Sequence, residues 1–307
     1  MITEDTRCSD ASVLVSEPLA GTAATAWRWL FLEVREPWSR KGFPDCELPK
    51  RVIARLLRLG RDHAGVRVGF IRRPDRCEGP LSFFFADTRP EHARVHAFEL
   101  AEHAALLDLD LDALILGEPG DGAGAELPER YTDPLYMVCT HGLRDICCAR
   151  LGPPVYRAIE ARAPGDAWQA THIGGHRFAA TLLALPSGLC YGRVTPPEAG
   201  AIAAAHHLGR IYTDLDRLRG RTCWAPHVQA AEIALRRETG DRAPGSVALL
   251  REAEVGPDGW EVTLAHAGVE RAYALTRAPL EDAAPPSCGK PLKTPAAFTA
   301  TPLEAPR

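Results

Sequence analysis

The chain has 307 residues, 46% of them apolar and 25% charged, with a net charge of -4. These are ordinary globular proportions, and so small a net charge offers no general attraction to nucleic acid. The length exceeds the usual size of one domain, Glu4 and Asp5 stand where a signal peptide would be basic, and no stretch approaches the roughly 20 apolar residues that cross a bilayer, so a multi-unit cytoplasmic protein outside the membrane is expected.

In chain order, the apolar run Trp27 to Val34 reads as a strand leaving a turn. Val52, Ile53, Leu56, Leu57 and Leu59 recur at helical spacing and predict a helix over 48–59 with one buried face. Val66 to Ile71, Leu81 to Ala86 with three consecutive Phe, and Leu111 to Leu116 read as strands. Alternation of helix and strand makes residues 1–125 an α/β domain. The Gly-rich stretch Gly117 to Glu126 reads as a flexible connection and marks a domain boundary.

Beyond it, Leu135 to Cys139 is a strand, Pro153 to Arg162 an amphipathic helix with Pro near its start, and Ala167 to Ile173 and Phe178 to Leu185 are strands. Pro186-Ser187-Gly188 turns the chain into Leu189 to Val194, and Pro196 to Tyr212 is an Ala-rich helix. The order strand, helix, strand, strand, strand, helix is compatible with a thioredoxin-like α/β sandwich over 130–227. Residues 228–307 form a C-terminal α+β extension: a helix over Val228 to Glu238, short strands at Val247 to Leu250, Trp260 to Leu264 and Arg271 to Leu275, and a Pro-rich tail after Pro279 without a core of its own. No internal repeat is visible.

Nine cysteines spread over this length do not resemble the dense, even framework of a small secreted domain, so in a reducing compartment their clusters point to metal or redox chemistry. Cys139 closes a strand, eight residues follow, and Cys148 precedes a helix; His172 and His176, separated by Ile173-Gly174-Gly175, lie between later strands. His at i and i+4 on a helix would suggest a metalloprotease zinc face, but adjacent glycines disfavour a helix and no Glu follows His172. A loop with Gly174-Gly175 can instead wrap a cluster, because Gly reaches backbone conformations closed to other residues.

The blocks Cys139-Thr-His-Gly-Leu-Arg-Asp145-Ile-Cys-Cys148 and Thr171-His172-Ile-Gly-Gly-His176-Arg177-Phe178, then Tyr191-Gly192-Arg193-Val194, resemble the sucrase/ferredoxin-like proteins, a branch of the thioredoxin-like 2Fe-2S ferredoxins. The resemblance extends to Glu17-Pro-Leu-Ala-Gly-Thr-Ala23 and to Pro285-Pro-Ser-Cys-Gly-Lys290. It implies a thioredoxin-like ferredoxin domain preceded by an α/β N-terminal domain, itself read as a degenerate thioredoxin-like unit. It also implies a 2Fe-2S cluster held by Cys139, Cys148, His172 and His176. Cys147 lies beside Cys148; the family pattern puts the cysteine three residues after Asp145, which selects Cys148. No pair of carboxylates falls in the arrangement glycoside hydrolysis requires, so the sucrase label is set aside.

Two neutral imidazoles in place of two thiolates leave the oxidised core formally neutral rather than doubly negative, which raises its potential. In Rieske centres the same exchange gives about -150 to +300 mV, against about -400 mV for plant-type ferredoxins. Imidazole also keeps a second nitrogen that can couple proton to electron transfer. The expectation is an electron carrier rather than a stand-alone enzyme, working between a flavin- or nicotinamide-dependent reductase and an acceptor. No dinucleotide fingerprint is present, so that cofactor belongs to the partner.

A zinc-stabilised structural or interaction module using the same four residues is the alternative. A thiol-disulfide oxidoreductase ranks last, because no Cys-x-x-Cys occurs. His141, Arg144 and Asp145 read as loop scaffolding, His206-His207 as surface, and Cys8, Cys46, Cys77, Cys190, Cys223 and Cys288 as core or loop residues, Cys288 being the most exposed-looking. The run Arg67 to Arg76 reads as a solvated face, with docking of an acidic partner as the lesser alternative.

Overall fold

The computed structural model describes residues 2–40, 46–117, 128 and 130–303. A short helix, α1 (Cys8–Leu14), precedes β1 (Arg28–Glu33), which is buried along its whole length and therefore reads as an unbroken apolar run. Helix α2 (Lys50–Asp62) covers the sheet with Val52, Leu56 and Leu59, and its Arg and Lys residues take the outer face. Strand β2 (Val66–Arg72) lies parallel to β1, β3 (Leu81–Asp87) antiparallel on the other side of β1, and β4 (Arg94–Leu100) antiparallel to β3.

The second half repeats this connectivity. After β5 (Leu135–Cys139) and α4 (Ile146–Arg162), β6 (Ala167–Ala170) runs parallel to β5, β7 (Leu182–Leu185) antiparallel on the other side, and β8 (Leu189–Tyr191) antiparallel to β7. Helix α5 (Pro196–His207) and β9 (Leu218–Arg221) follow. The inner strands of the two halves, β2 and β6, meet antiparallel through Ile71 with Ala170 and Arg72 with Gln169. One nine-stranded sheet results, ordered β4-β3-β1-β2-β6-β5-β7-β8-β9. The molecule is mixed α/β, and the two segments read as successive units share a single sheet. The boundary expected at Gly117 to Glu126 lies almost wholly outside the described residues.

Several local expectations are corrected. Leu111–Leu116 is a helix, α3, because the Asp110 carboxylate accepts from the Ala113 N–H at 3.0 Å and caps it. Helix α4 begins at Ile146 rather than Pro153, capped by Asp145, with Pro153 and Pro154 inside it. The strands expected at 167–173 and 178–185 stop at Ala170 and start at Leu182, which leaves a loop over 171–181. Strand β4 was not read from the sequence at all.

At the C-terminus, α6 (Pro226–Thr239) packs on an antiparallel meander of β10 (Val247–Gly256), β11 (Gly259–His266), β12 (Val269–Pro279) and β13 (Ala296–Leu303). Val262 and Leu264 on β11 and Tyr273 and Leu275 on β12 alternate inward against Val228, Ala231 and Leu235. The Pro-rich tail, expected to lack a core of its own, contributes β13, paired along β12 from Ala272 with Leu303 to Pro279 with Ala296. Among the described residues no helix is long and apolar enough to cross a membrane.

Candidate metal centre

Cys139 is the last residue of β5, and α4 is pressed against it. A Cβ on Gly152 would stand 2.2 Å from the Cys139 carbonyl oxygen, so only glycine allows this approach. The Asp145 carboxylate accepts from the Cys147 N–H at 2.9 Å and starts α4 there. Consecutive helical residues point roughly 100° apart, so the vicinal pair Cys147-Cys148 faces two different neighbourhoods.

The Cys148 thiol turns to Cys139. It donates to the Cys139 sulfur, which the His172 ring also contacts; this holds Cys139 well below the usual thiol range despite burial, while Cys148 is raised. Both sulfurs are buried.

The loop 171–181 turns on Gly174 and Gly175, at φ of +105° and +72°, conformations that favour glycine. It brings the His172 and His176 rings to 5.0 Å between centroids. His176 Nε2 donates to the Pro286 carbonyl at 3.1 Å and lies 3.6 Å from Asp145 Oδ2. With its proton on Nε2, the ring presents a bare lone pair at Nδ1. Nδ1 of His176 and Nδ1 of His172 are both buried without a hydrogen-bond partner, which is costly in a protein interior unless something not yet counted occupies them. Burial lowers the His176 pKa, partly opposed by Asp145, and so favours the neutral ring that a metal requires. Beneath the loop, Arg219 is fully buried and donates to the carbonyl of Gly174 at 2.9 Å and to the Cys190 sulfur at 3.5 Å; it also bonds Thr22.

A second group lies alongside. Cys147 turns away from Cys139 toward Cys8 at 3.7 Å and Cys288 at 3.4 Å, and Cys288 is 3.6 Å from Cys8. With Asp145 these residues place all their donor atoms within 4.8 Å of one another, so they form a group that could hold a metal ion. The Cys8 thiol, then the Ser9 hydroxyl, hold Cys147 down to about 6 against burial, while burial pushes Cys288 up to about 11. Burial also pushes Asp145 up, but the N–H groups of Cys147 and Cys288, His176 and Ser287 outweigh it and hold the carboxyl at about 2.

The model of the sucrase/ferredoxin-like family matches residues 19–220 of the chain, about two thirds of it. The chain belongs to the sucrase/ferredoxin-like family. A curated relative is "Altered inheritance of mitochondria protein 32" of Meyerozyma guilliermondii, 32% identical over 81 residues that cover 23% of this chain and 29% of the relative. The chain thus spans under a third of that protein's length. No solved structure matches.

The other residues singled out in this sucrase/ferredoxin-like chain have structural partners. His141 donates to the Ser39 carbonyl at 2.8 Å and stands edge-on to Trp38. Arg177 pairs with the buried Glu17 at 2.9 Å, linking the His loop to the first block of the family motif. His206, read as a surface residue, is buried and hydrogen-bonded through Nε2 to the Tyr191 hydroxyl at 2.9 Å. Arg72 and Arg73 stack on Trp38 and Trp168, each 4.3 Å from the ring centroid, so that part of the Arg-rich run is packed rather than merely solvated. Cys8 and Cys288 were read as core or loop residues. The one available signal was a serine beside each, Cys8-Ser9 and Ser287-Cys288, whose hydroxyls bond Cys147 and Asp145.

Proposed function

We propose that this chain is an electron-transfer protein that holds a 2Fe-2S cluster through Cys139, Cys148, His172 and His176. The observation that carries the reading is the pair of contacting thiols faced by two imidazoles with orphaned, buried Nδ1 atoms. The repeated strand order fits two thioredoxin-like units, the second bearing the donors and the first a degenerate partner.

When bound, such a cluster supplies a one-electron site of raised potential. The chain's own residues set its surroundings. Arg219, buried beside the His loop with no carboxylate within ion-pair distance among the described residues, favours the electron-rich state. The proton on His176 Nε2, held between the Pro286 carbonyl and Asp145, can leave as the imidazole loses basicity, so the potential should fall with rising pH. Electrons would come from a flavin- or nicotinamide-dependent reductase and pass to a protein acceptor.

Anaerobic purification, iron and acid-labile sulfide analysis, and electron paramagnetic resonance of the reduced sample test this. Two irons and two sulfides per chain with a reduced-state signal are expected. Zinc at these four residues, with neither iron nor signal, overturns the reading.

A further inference from the structure

We infer that Cys8, Cys147 and Cys288, with Asp145 as fourth donor, form a second metal site suited to one Zn2+ ion, separate from the Cys139 set. The three sulfurs make a triangle with edges of 3.4, 3.6 and 3.7 Å. A tetrahedral ion with arms of about 2.3 Å to sulfur requires edges of about 3.8 Å. Both Asp145 oxygens stand 3.6 Å from the Cys8 sulfur, where an arm of about 2.0 Å to oxygen requires about 3.5 Å. The group is therefore already close to the dimensions of a mononuclear zinc site.

Its surroundings suit thiolates. The Ser9 hydroxyl donates to the Cys147 sulfur at 3.2 Å and the Cys8 N–H to the Cys288 sulfur at 3.4 Å. Oδ2 of Asp145 is taken by Ser287 Oγ at 2.9 Å and the Cys288 N–H at 3.0 Å. Oδ1 accepts only one strong bond, from the Cys147 N–H, and keeps a lone pair for the ion. The Asp145 side chain is wholly buried, 3.6 Å from the His176 ring. A buried carboxylate beside three clustered cysteine sulfurs calls for a compensating cation. The donors come from α1, the start of α4 and the segment returning from β12, so the ion would clasp both ends of the chain to the helix that carries Cys148.

The two donor sets share no residue, so loss of zinc and loss of iron can be read separately. Full-length protein, purified without chelators, should carry one zinc per chain. Cys8→Ser and Cys288→Ser should lose it, whereas Cys139→Ser and the exposed Cys77→Ser keep it. Wild-type and Cys139→Ser protein from cobalt-supplemented cells provide a measurement that does not depend on the Cys8 and Cys288 variants folding: both should show the intense visible absorption of tetrahedral cobalt bound to thiolates, displaced by added Zn2+. Zinc lost in Cys139→Ser but kept in Cys8→Ser overturns the assignment. So does wild-type protein that binds neither metal and yields, without reductant, a Cys147–Cys288 disulfide or three freely alkylated thiols.

Discussion

Replacing Gly175 with alanine tests whether the His loop is fixed by its packing on Arg219. The residue sits at φ +72°, and an added Cβ would stand 2.3 Å from the Arg219 guanidinium nitrogen Nη2, 2.8 Å from its central carbon and 3.0 Å from Phe178. The left-handed backbone alone costs about 1–2 kcal/mol for a non-glycine residue. Arg219 cannot easily retreat, since Gly174 and Thr22 hold it, so overpacking adds about 1–3 kcal/mol. Gly209, after α5, has a φ of +65° but nothing within 4 Å of an added Cβ, so Gly209→Ala isolates the backbone cost. Urea unfolding should place Gly175→Ala about 2–5 kcal/mol below wild type and clearly below Gly209→Ala, with reduced iron in the purified protein. Equal losses in the two variants, with iron unchanged, would show that the cradle around Arg219 does not position the histidines.

Exchange of His172 or His176 for cysteine adds negative charge at the cluster and should lower the potential by roughly 100–300 mV each; protein-film voltammetry showing no shift would remove that residue from the ligand set. Glu232 lies fully buried between Arg221 at 3.0 Å and Arg236 at 2.9 Å, so Glu232→Gln removes the carboxylate charge from Arg221 and leaves Arg236 only the more distant Asp241 at 4.0 Å, and should cost about 3–5 kcal/mol in chemical unfolding. A loss within experimental error would contradict the pairing. Burial lowers the His206 pKa to about 4 from 6.5, so between these values the unfolded chain takes up a proton that the folded chain refuses. Stability should therefore fall by up to about 3 kcal/mol as pH drops from 6.5 to 4. His206→Gln should flatten that part of the pH profile, and an unaltered slope would refute the assignment.

The spacing from Cys139 to Cys148 and the His-x-x-x-His loop were readable because each lies within a short stretch whose glycines and strand ends announce themselves. The Cys8 group was not, since Cys8 and Cys288 are 280 positions apart and meet only after folding. His206 misled because periodicity on an Ala-rich helix cannot say that Tyr136 and Tyr191 will close over it. The tail's strand was hidden because prolines suggest irregular chain, yet on an outermost strand a proline costs few ladder bonds, and Pro302 is accommodated opposite Tyr273. The structural repeat left no trace in residue identity: β1 ends in Glu33 where β5 ends in Cys139.

The seam between β2 and β6 is only two residue pairs long, yet it is what keeps either inner strand from being a bare margin. A gene fragment starting near Leu135 would include Cys139, Cys148, His172 and His176 but leave Ala167–Ala170 without its neighbour, its N–H and C=O groups free to recruit strands from other molecules. Such a fragment should cloud on concentration, and that turbidity would report on a missing flank rather than on the chemistry of its thiols.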